Sequence, residues 1–205
     1  MRKRILFAAL GASAALGLVT AGTAAATSAD AGSAGAAAPR VIDVTSVSQI
    51  PAAKEGLAAS PAGINAIFRL TMTNNEGGQC LDGDADTIGT NGTVVQLWGC
   101  NGGSNQTWLW APAAGQPVGY YTIQNARGNQ CLDGNATQIP ANGAGVQLWA
   151  CNGWSNQTWV WHGATLTNLQ GGQCLDGDLT QIPANGSRVQ LWACNGWNNQ
   201  NWTTH

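Results

Sequence analysis

One phrase of thirty residues occurs three times in this chain. Residues 79–108 read QCLDGDADTIGTNGTVVQLWGCNGGSNQTW, residues 130–159 read QCLDGNATQIPANGAGVQLWACNGWSNQTW, and residues 173–202 read QCLDGDLTQIPANGSRVQLWACNGWNNQNW. The second and third copies differ at six positions and the first and second at nine. Units this short cannot each bury a core, so they must pack on one another. Cys80, Cys131 and Cys174 are spaced by 51 and 43 residues, as are Trp108, Trp159 and Trp202. The difference lies in APAAGQPVGYY, where Pro and Gly mark a longer surface loop. In the second copy YYTIQ, QCLDG, GVQLWA and QTWVW read as short strands, with IPANG a turn between the middle pair. The third copy enters by the clipped HGATLTNLQ. About twelve strands and no helix are expected. A propeller needs four or more blades to close, whereas three copies suit a closed threefold barrel that removes exposed edges. The fold class is all-β.

The chain ahead of the copies has a different character. Arg2, Lys3 and Arg4, the apolar run ILFAALGASAALGLV and the small residues ending at Ala26 read as a signal peptide over residues 1–26. Residues 27–65 form a low-complexity leader or linker in which TSADAGSAGAAAP has no packing capacity. RVIDVTSVSQI has the β-branched content of a strand, and AAKEGLAAS between Pro51 and Pro61 that of a short helix. Linker, pro-segment and docked arm all remain open for this region. After signal removal five basic residues (Arg40, Lys54, Arg69, Arg127, Arg188) face ten acidic ones. That balance opposes nucleic acid and anionic membranes as partners, and no later segment is apolar enough to span a bilayer. Six cysteines in an exported chain point to three disulfides. Of fifteen possible connectivities, Cys80–Cys100, Cys131–Cys151 and Cys174–Cys194 treat the three copies alike.

The endings Gln106-Thr107-Trp108, Gln157-Thr158-Trp159 and Gln200-Asn201-Trp202, preceded by Cys-Leu-Asp and Val-Gln-Leu-Trp-x-Cys-Asn-Gly, resemble the ricin-type lectin module. The resemblance covers residues 66–205 and implies a β-trefoil with repeats at about 66–110, 111–161 and 162–205. It also implies a carbohydrate-binding protein, with catalysis belonging to fused domains in related chains. By resemblance, Asp82, Asp133 and Asp176 grip hydroxyls and Trp98, Trp149 and Trp192 stack on a sugar face. Asn105, Asn156 and Asn199 then bond a further hydroxyl, and Gln106, Gln157 and Gln200 orient the aspartate or support the floor. Asn101, Asn152 and Asn195 occupy an additional contact position.

The chemistry of these side chains agrees with that assignment. A sugar offers an apolar C–H face to an indole and a rim of hydroxyls to groups that donate and accept; a carboxylate makes charge-assisted bonds and an amide does both. Only 9% of residues are charged, yet all ten tryptophans fall between Trp98 and Trp202. The plainer reading assigns Trp108, Trp159 and Trp202 to the core, with Trp110 and Trp161 beside them on the same strand face. Asp82, Asp133 and Asp176, each followed by glycine, have turn capping as their plainer role. Trp154 and Trp197, where the first copy has Gly103, read as surface cover in preference to pocket walls.

No cofactor or metal is expected. Asp82, Asp84 and Asp86 resemble the start of a calcium loop, but Thr87 and Thr93 stand where such a loop needs glycine and glutamate. Catalysis is not expected either: the second copy has Asn135 opposite Asp84, and His162 and His205 are the only histidines. Asn-x-Ser/Thr sequons begin at Asn91, Asn105, Asn135, Asn156, Asn185 and Asn201. A glycan at Asn105 or Asn156 would block a site, so the expected chain is unmodified and bacterial. The expected protein is a secreted monomeric lectin for neutral sugars, galactosides or xylan and arabinan polysaccharides, on glycans or glycoconjugates, at up to three weak sites. The alternative is a non-catalytic trefoil that binds or inhibits proteins without sugar.

Overall fold

A computed structural model describes residues 38–50 and 66–205. The expected signal peptide, the leader through residue 37 and the stretch from Pro51 to Pro61 lie outside the described residues. In the first copy the strands are β2 (Ala66–Leu70), β3 (Met72–Asn74), β4 (Cys80–Gly83), β5 (Thr93–Trp98) and β6 (Trp108–Pro112). The second has β7 (Tyr120–Asn125), β8 (Cys131–Gly134), β9 (Ala144–Trp149) and β10 (Thr158–His162). The third has β11 (Thr165–Asn168), β12 (Cys174–Gly177), β13 (Ser187–Trp192) and β14 (Trp202–Thr204), and β1 (Arg40–Asp43) precedes them all. Twelve strands become thirteen in the repeats because Thr71 interrupts the first, where it exchanges two backbone hydrogen bonds with His205. The only helical pieces described are single 3-10 turns: Val47–Gln49, Ser104–Gln106, Ser155–Gln157 and Asn198–Gln200.

Three copies suffice because their pairing runs in a circle. The hairpins β4–β5, β8–β9 and β12–β13 are joined edge to edge, β5 to β9, β9 to β13 and β13 back to β5. A second circuit runs through the outer strands: β2 with β6, β6 with β7, β7 with β10, β10 with β11, and β14 with β3, with Trp202 N donating to Ala164 O at 2.8 Å where the ladder is interrupted. Together the circuits make a β-trefoil. Each copy also clasps the next with a turn asparagine. Asn91 Oδ1 accepts from Ala150 N at 2.7 Å, Asn142 Oδ1 from Ala193 N at 2.7 Å, and Asn185 Oδ1 from Gly99 N at 2.8 Å. Buried strand residues do the same in the other direction: the Asn74, Asn125 and Asn168 amides donate to the carbonyls of Asn199, Asn105 and Asn156.

Alternation along the strands sends most of their apolar side chains inward. Leu81, Leu97, Leu132, Leu148, Leu175 and Leu191 are fully buried with Trp108, Trp159 and Trp202. The three indoles donate to the carbonyls of Leu81, Leu132 and Leu175 at 3.0, 2.9 and 3.0 Å, so no buried N–H of this set is orphaned. Trp110 is buried as expected, and Trp161 packs against the core from a partly exposed position.

Residues 40–50 dock on the barrel. β1 pairs in parallel with β2, Val44 N donates to Arg69 O at 3.1 Å, and Val47 N donates to Thr204 Oγ1 at 3.0 Å. Val44, Val47 and Ile50 join the core cluster, while the β-branched pair Val41 and Ile42 stays exposed. Burying three aliphatic side chains stabilises this contact by several kcal/mol, at about 1.5–3 kcal/mol each.

Candidate functional site

Each β4–β5-type hairpin carries one aspartate and one tryptophan on the same face. Asp82 faces Gln96, Asp133 faces Gln147 and Asp176 faces Gln190, while Trp98, Trp149 and Trp192 sit opposite Cys80, Cys131 and Cys174. The glutamine and the tryptophan are two residues apart, so both project to the aspartate's side. Disulfides Cys80–Cys100, Cys131–Cys151 and Cys174–Cys194, each spanning 20 residues, close the hairpins as expected. The next residues then run into the 3-10 turn that delivers the amides.

Those amides converge on the carboxylate. Asn105, Asn156 and Asn199 each donate from Nδ2 to the Oδ2 of Asp82, Asp133 and Asp176 at 2.8 Å. Gln106, Gln157 and Gln200 donate to the same Oδ2 at 2.9 Å. A third donor, absent from the expected set, comes from Gln96, Gln147 and Gln190, which reach Oδ1 at 3.2, 3.0 and 3.0 Å. A carboxylate has about four acceptor sites. Three are taken, and the one left lies on Oδ1. The aspartate can therefore accept one ligand hydroxyl rather than two. The asparagine amide donors are spent on the aspartate and on the carbonyls of Gly83, Gly134 and Gly177, which leaves Oδ1 as the asparagine's uncommitted atom.

Beside each carboxylate the indole is open to solvent, Trp98, Trp149 and Trp192 being 38–39% exposed where Trp108, Trp159 and Trp202 are closed. Each indole lies beside a glycine of the preceding copy. A Cβ at Gly186, Gly92 or Gly143 would lie 3.9, 3.9 or 3.8 Å from Cζ3 of Trp98, Trp149 or Trp192. These glycines have φ of 84°, 90° and 86°, so the turn that backs the ring is closed to ordinary side chains. The site is thus assembled across a copy boundary.

Three depressions result, of about 540, 430 and 610 Å³ in chain order. The first is lined by Asp82, Gln96, Trp98, Asn101 and Asn105, with Asp84, Asp86 and Arg127 at its rim. The second is lined by Asp133, Gln147, Trp149, Asn152 and Asn156, with uncharged Asn135 and Thr137. The third is lined by Asp176, Gln190, Trp192, Asn195 and Asn199, with Asp178 and Arg188. Gln106, Gln157 and Gln200 sit behind the aspartates, almost wholly buried. Their Oε1 atoms accept from the backbone N–H of Asn101, Asn152 and Asn195 at 2.8, 2.9 and 2.8 Å. Burial raises the carboxyls of Asp82, Asp133 and Asp176 above the ordinary 3.8, and the amide bonds only partly offset it. Asp84 and Asp178 add like-charge repulsion to the first and third; the second has no such neighbour.

Residues 68–202 match the family described as the ricin-type beta-trefoil lectin domain. The chain belongs to this family. Among proteins of curated function, none matches it. Solved structures share the fold. The designed threefold-symmetric protein ThreeFoil superposes with a TM-score of 0.61 at 23% identity, covering 66% of this chain and 96% of that one. The Rhizoctonia solani agglutinin gives 0.59 at 20%, covering 66% and 92%. An exo-beta-1,3-galactanase from Clostridium thermocellum gives 0.60 at 24%, covering 66% of this chain but 29% of the enzyme. At such identities the likeness is one of fold. As a ricin-type lectin domain, the chain is carbohydrate-binding in kind.

The remaining expectations can be placed on this lectin domain. Trp154 and Trp197, read as surface cover, are indeed exposed, yet they line the second and third depressions. Asp84 serves a turn, accepting from Asp86 N and Thr87 Oγ1. Among the described residues no group of three His, Cys, Asp or Glu side chains is arranged to hold a metal. Among them, too, no helix is long and apolar enough to cross a membrane. The sequon residues Asn105 and Asn156 are buried with their amides engaged, which leaves no room for a glycan.

Proposed function

We propose that this protein is exported and binds neutral sugars, galactosides or xylan and arabinan chains, at up to three shallow sites without catalysis. The observation that supports this most is repeated three times: a buried aspartate held by three amides keeps one acceptor position beside a half-open indole. The carboxylate takes a sugar hydroxyl, and the indole takes the C–H face. Because the amides fix the carboxylate before any ligand arrives, little is spent on ordering it. Hydrolysis of a glycosidic bond calls for a second carboxylate across from the first. The second depression has Asn135 where the first has Asp84, and Asp133 is its only acid.

Single sites with this little enclosure bind weakly. Three on one body raise affinity for a repeating polymer, by about a hundredfold where spacing allows. A glycan array probed with residues 27–205 tests the reading. Binding to neutral galactosides or to xylan and arabinan oligomers is expected, and the combined change of Trp98, Trp149 and Trp192 to Ala removes it. An array silent across those sugars turns the assignment toward a protein-binding trefoil. A folded triple variant that still binds places the sugar elsewhere.

A further inference from the structure

Trp154 and Trp197 are the most exposed large apolar side chains among the described residues, at 64% and 60%. Neither belongs to the core cluster, so packing gives no reason for an indole at either position. Their backbones are nevertheless pinned on both sides. Trp154 N and Trp197 N donate to Asn152 Oδ1 and Asn195 Oδ1 at 2.9 Å. Their carbonyls accept from Gln157 N and Gln200 N at 3.0 Å. Each therefore holds its ring on a fixed perch at the entry of a 3-10 turn, beside the depression that already contains Trp149 or Trp192.

A second feature separates these two depressions from the first. Asn156 Oδ1 and Asn199 Oδ1 are buried without a hydrogen-bond partner. Asn105 Oδ1 lies instead on the open side left by Gly103, only 2.5 Å from where a Cβ there would sit. Buried acceptors without donors are costly, and both asparagines belong to the lining of their depressions. The second and third depressions thus hold two indoles each, and the first holds one.

We infer that the second and third sites each hold at least two consecutive sugar residues between paired indoles, Trp149 with Trp154 and Trp192 with Trp197, whereas the first, with Gly103, holds one. This rests on the sugar-binding reading above. In it Trp154 and Trp197 set the preference for chain length, while the aspartate and inner tryptophan anchor the first residue. A flat aromatic face adds area for a second ring without adding charge.

Calorimetric titration of the full chain and its Trp154→Gly, Trp197→Gly double variant tests this, with xylose, xylotetraose, galactose and β-1,3-galactotetraose as probes. Glycine is what the first copy carries at this position, and the double variant is expected to keep its unfolding midpoint. For the series that binds, tetrasaccharide affinity falls about five- to tenfold and monosaccharide affinity stays within about twofold. Tyrosine at both positions restores most of the tetrasaccharide affinity. Equal losses for the two lengths, or no loss for either, overturn the two-residue assignment while sugar binding stands. A parent chain that binds no member of either series overturns sugar binding itself, and this inference with it.

Discussion

Asp133 shows how much of the site depends on the side chains that hold its carboxylate. Its side chain is almost wholly buried, held by Gln147, Asn156 and Gln157, and left with one free acceptor position. Gln157 also donates to Ala150 O and accepts from Asn152 N, so Gln157→Ala removes three hydrogen bonds at once, one of them to the buried carboxylate. The expected loss is about 3 kcal/mol in chemical denaturation, far more than an exposed glutamine would cost. The raised carboxyls make a second prediction. Between 3.8 and the folded value the native state keeps a proton that the unfolded chain releases, so each aspartate's burial costs stability above that window and costs less as pH falls through it. Sugar binding runs the other way, because the hydroxyl needs the ionised acceptor. Acidification from neutrality toward 3.8 should therefore weaken binding while this contribution to the unfolding midpoint rises, a divergence that paired titration and melting series will read. Aspartate, indole, asparagine and the second glutamine were legible in the sequence through their fixed places in the repeated phrase. Gln96, Gln147 and Gln190 were not, because a glutamine inside Val-Gln-Leu-Trp reads as the outward residue of a strand.

At the scale of the element, the hairpin is what converts sequence spacing into a site. The disulfide ties the first residue of β8 to the residue two beyond the end of β9, and the register places Trp149 opposite Cys131. Replacing Cys131 and Cys151 with alanine releases a 20-residue loop and is expected to lower stability by about 3 kcal/mol in urea denaturation. Indole stacking should weaken with it. The twelvefold pattern of strands was readable because alternation and turn residues recur in every copy. The docking of residues 40–50 was not. The β-branched run Val41–Ile42 that signals a strand remains on the surface, and the anchors Val44, Val47 and Ile50 follow the three-residue step of a 3-10 turn that carries no strand or helix periodicity.

At the scale of the molecule, threefold closure and site construction are one event. The hairpin turn of each copy reaches its neighbour, contributing an asparagine that clasps the neighbour's backbone and a glycine beside the neighbour's indole. No copy completes a site alone. The rims nevertheless differ: Asp84, Asp86 and Arg127 surround the first, neutral side chains the second, and Asp178 and Arg188 the third. Near-identical copies so present three related but unequal surfaces. Trp149→Ala accordingly should reduce polysaccharide retention in affinity electrophoresis only in part, since two sites keep their share of the avidity. The most direct test of the account is a crystal structure of the protein with a bound neutral oligosaccharide. It should place a sugar ring against Trp149 or its counterparts, with one hydroxyl on Oδ1 of the neighbouring aspartate. Ligand seated away from all three indoles, or bound beside them with that oxygen untouched, would contradict it.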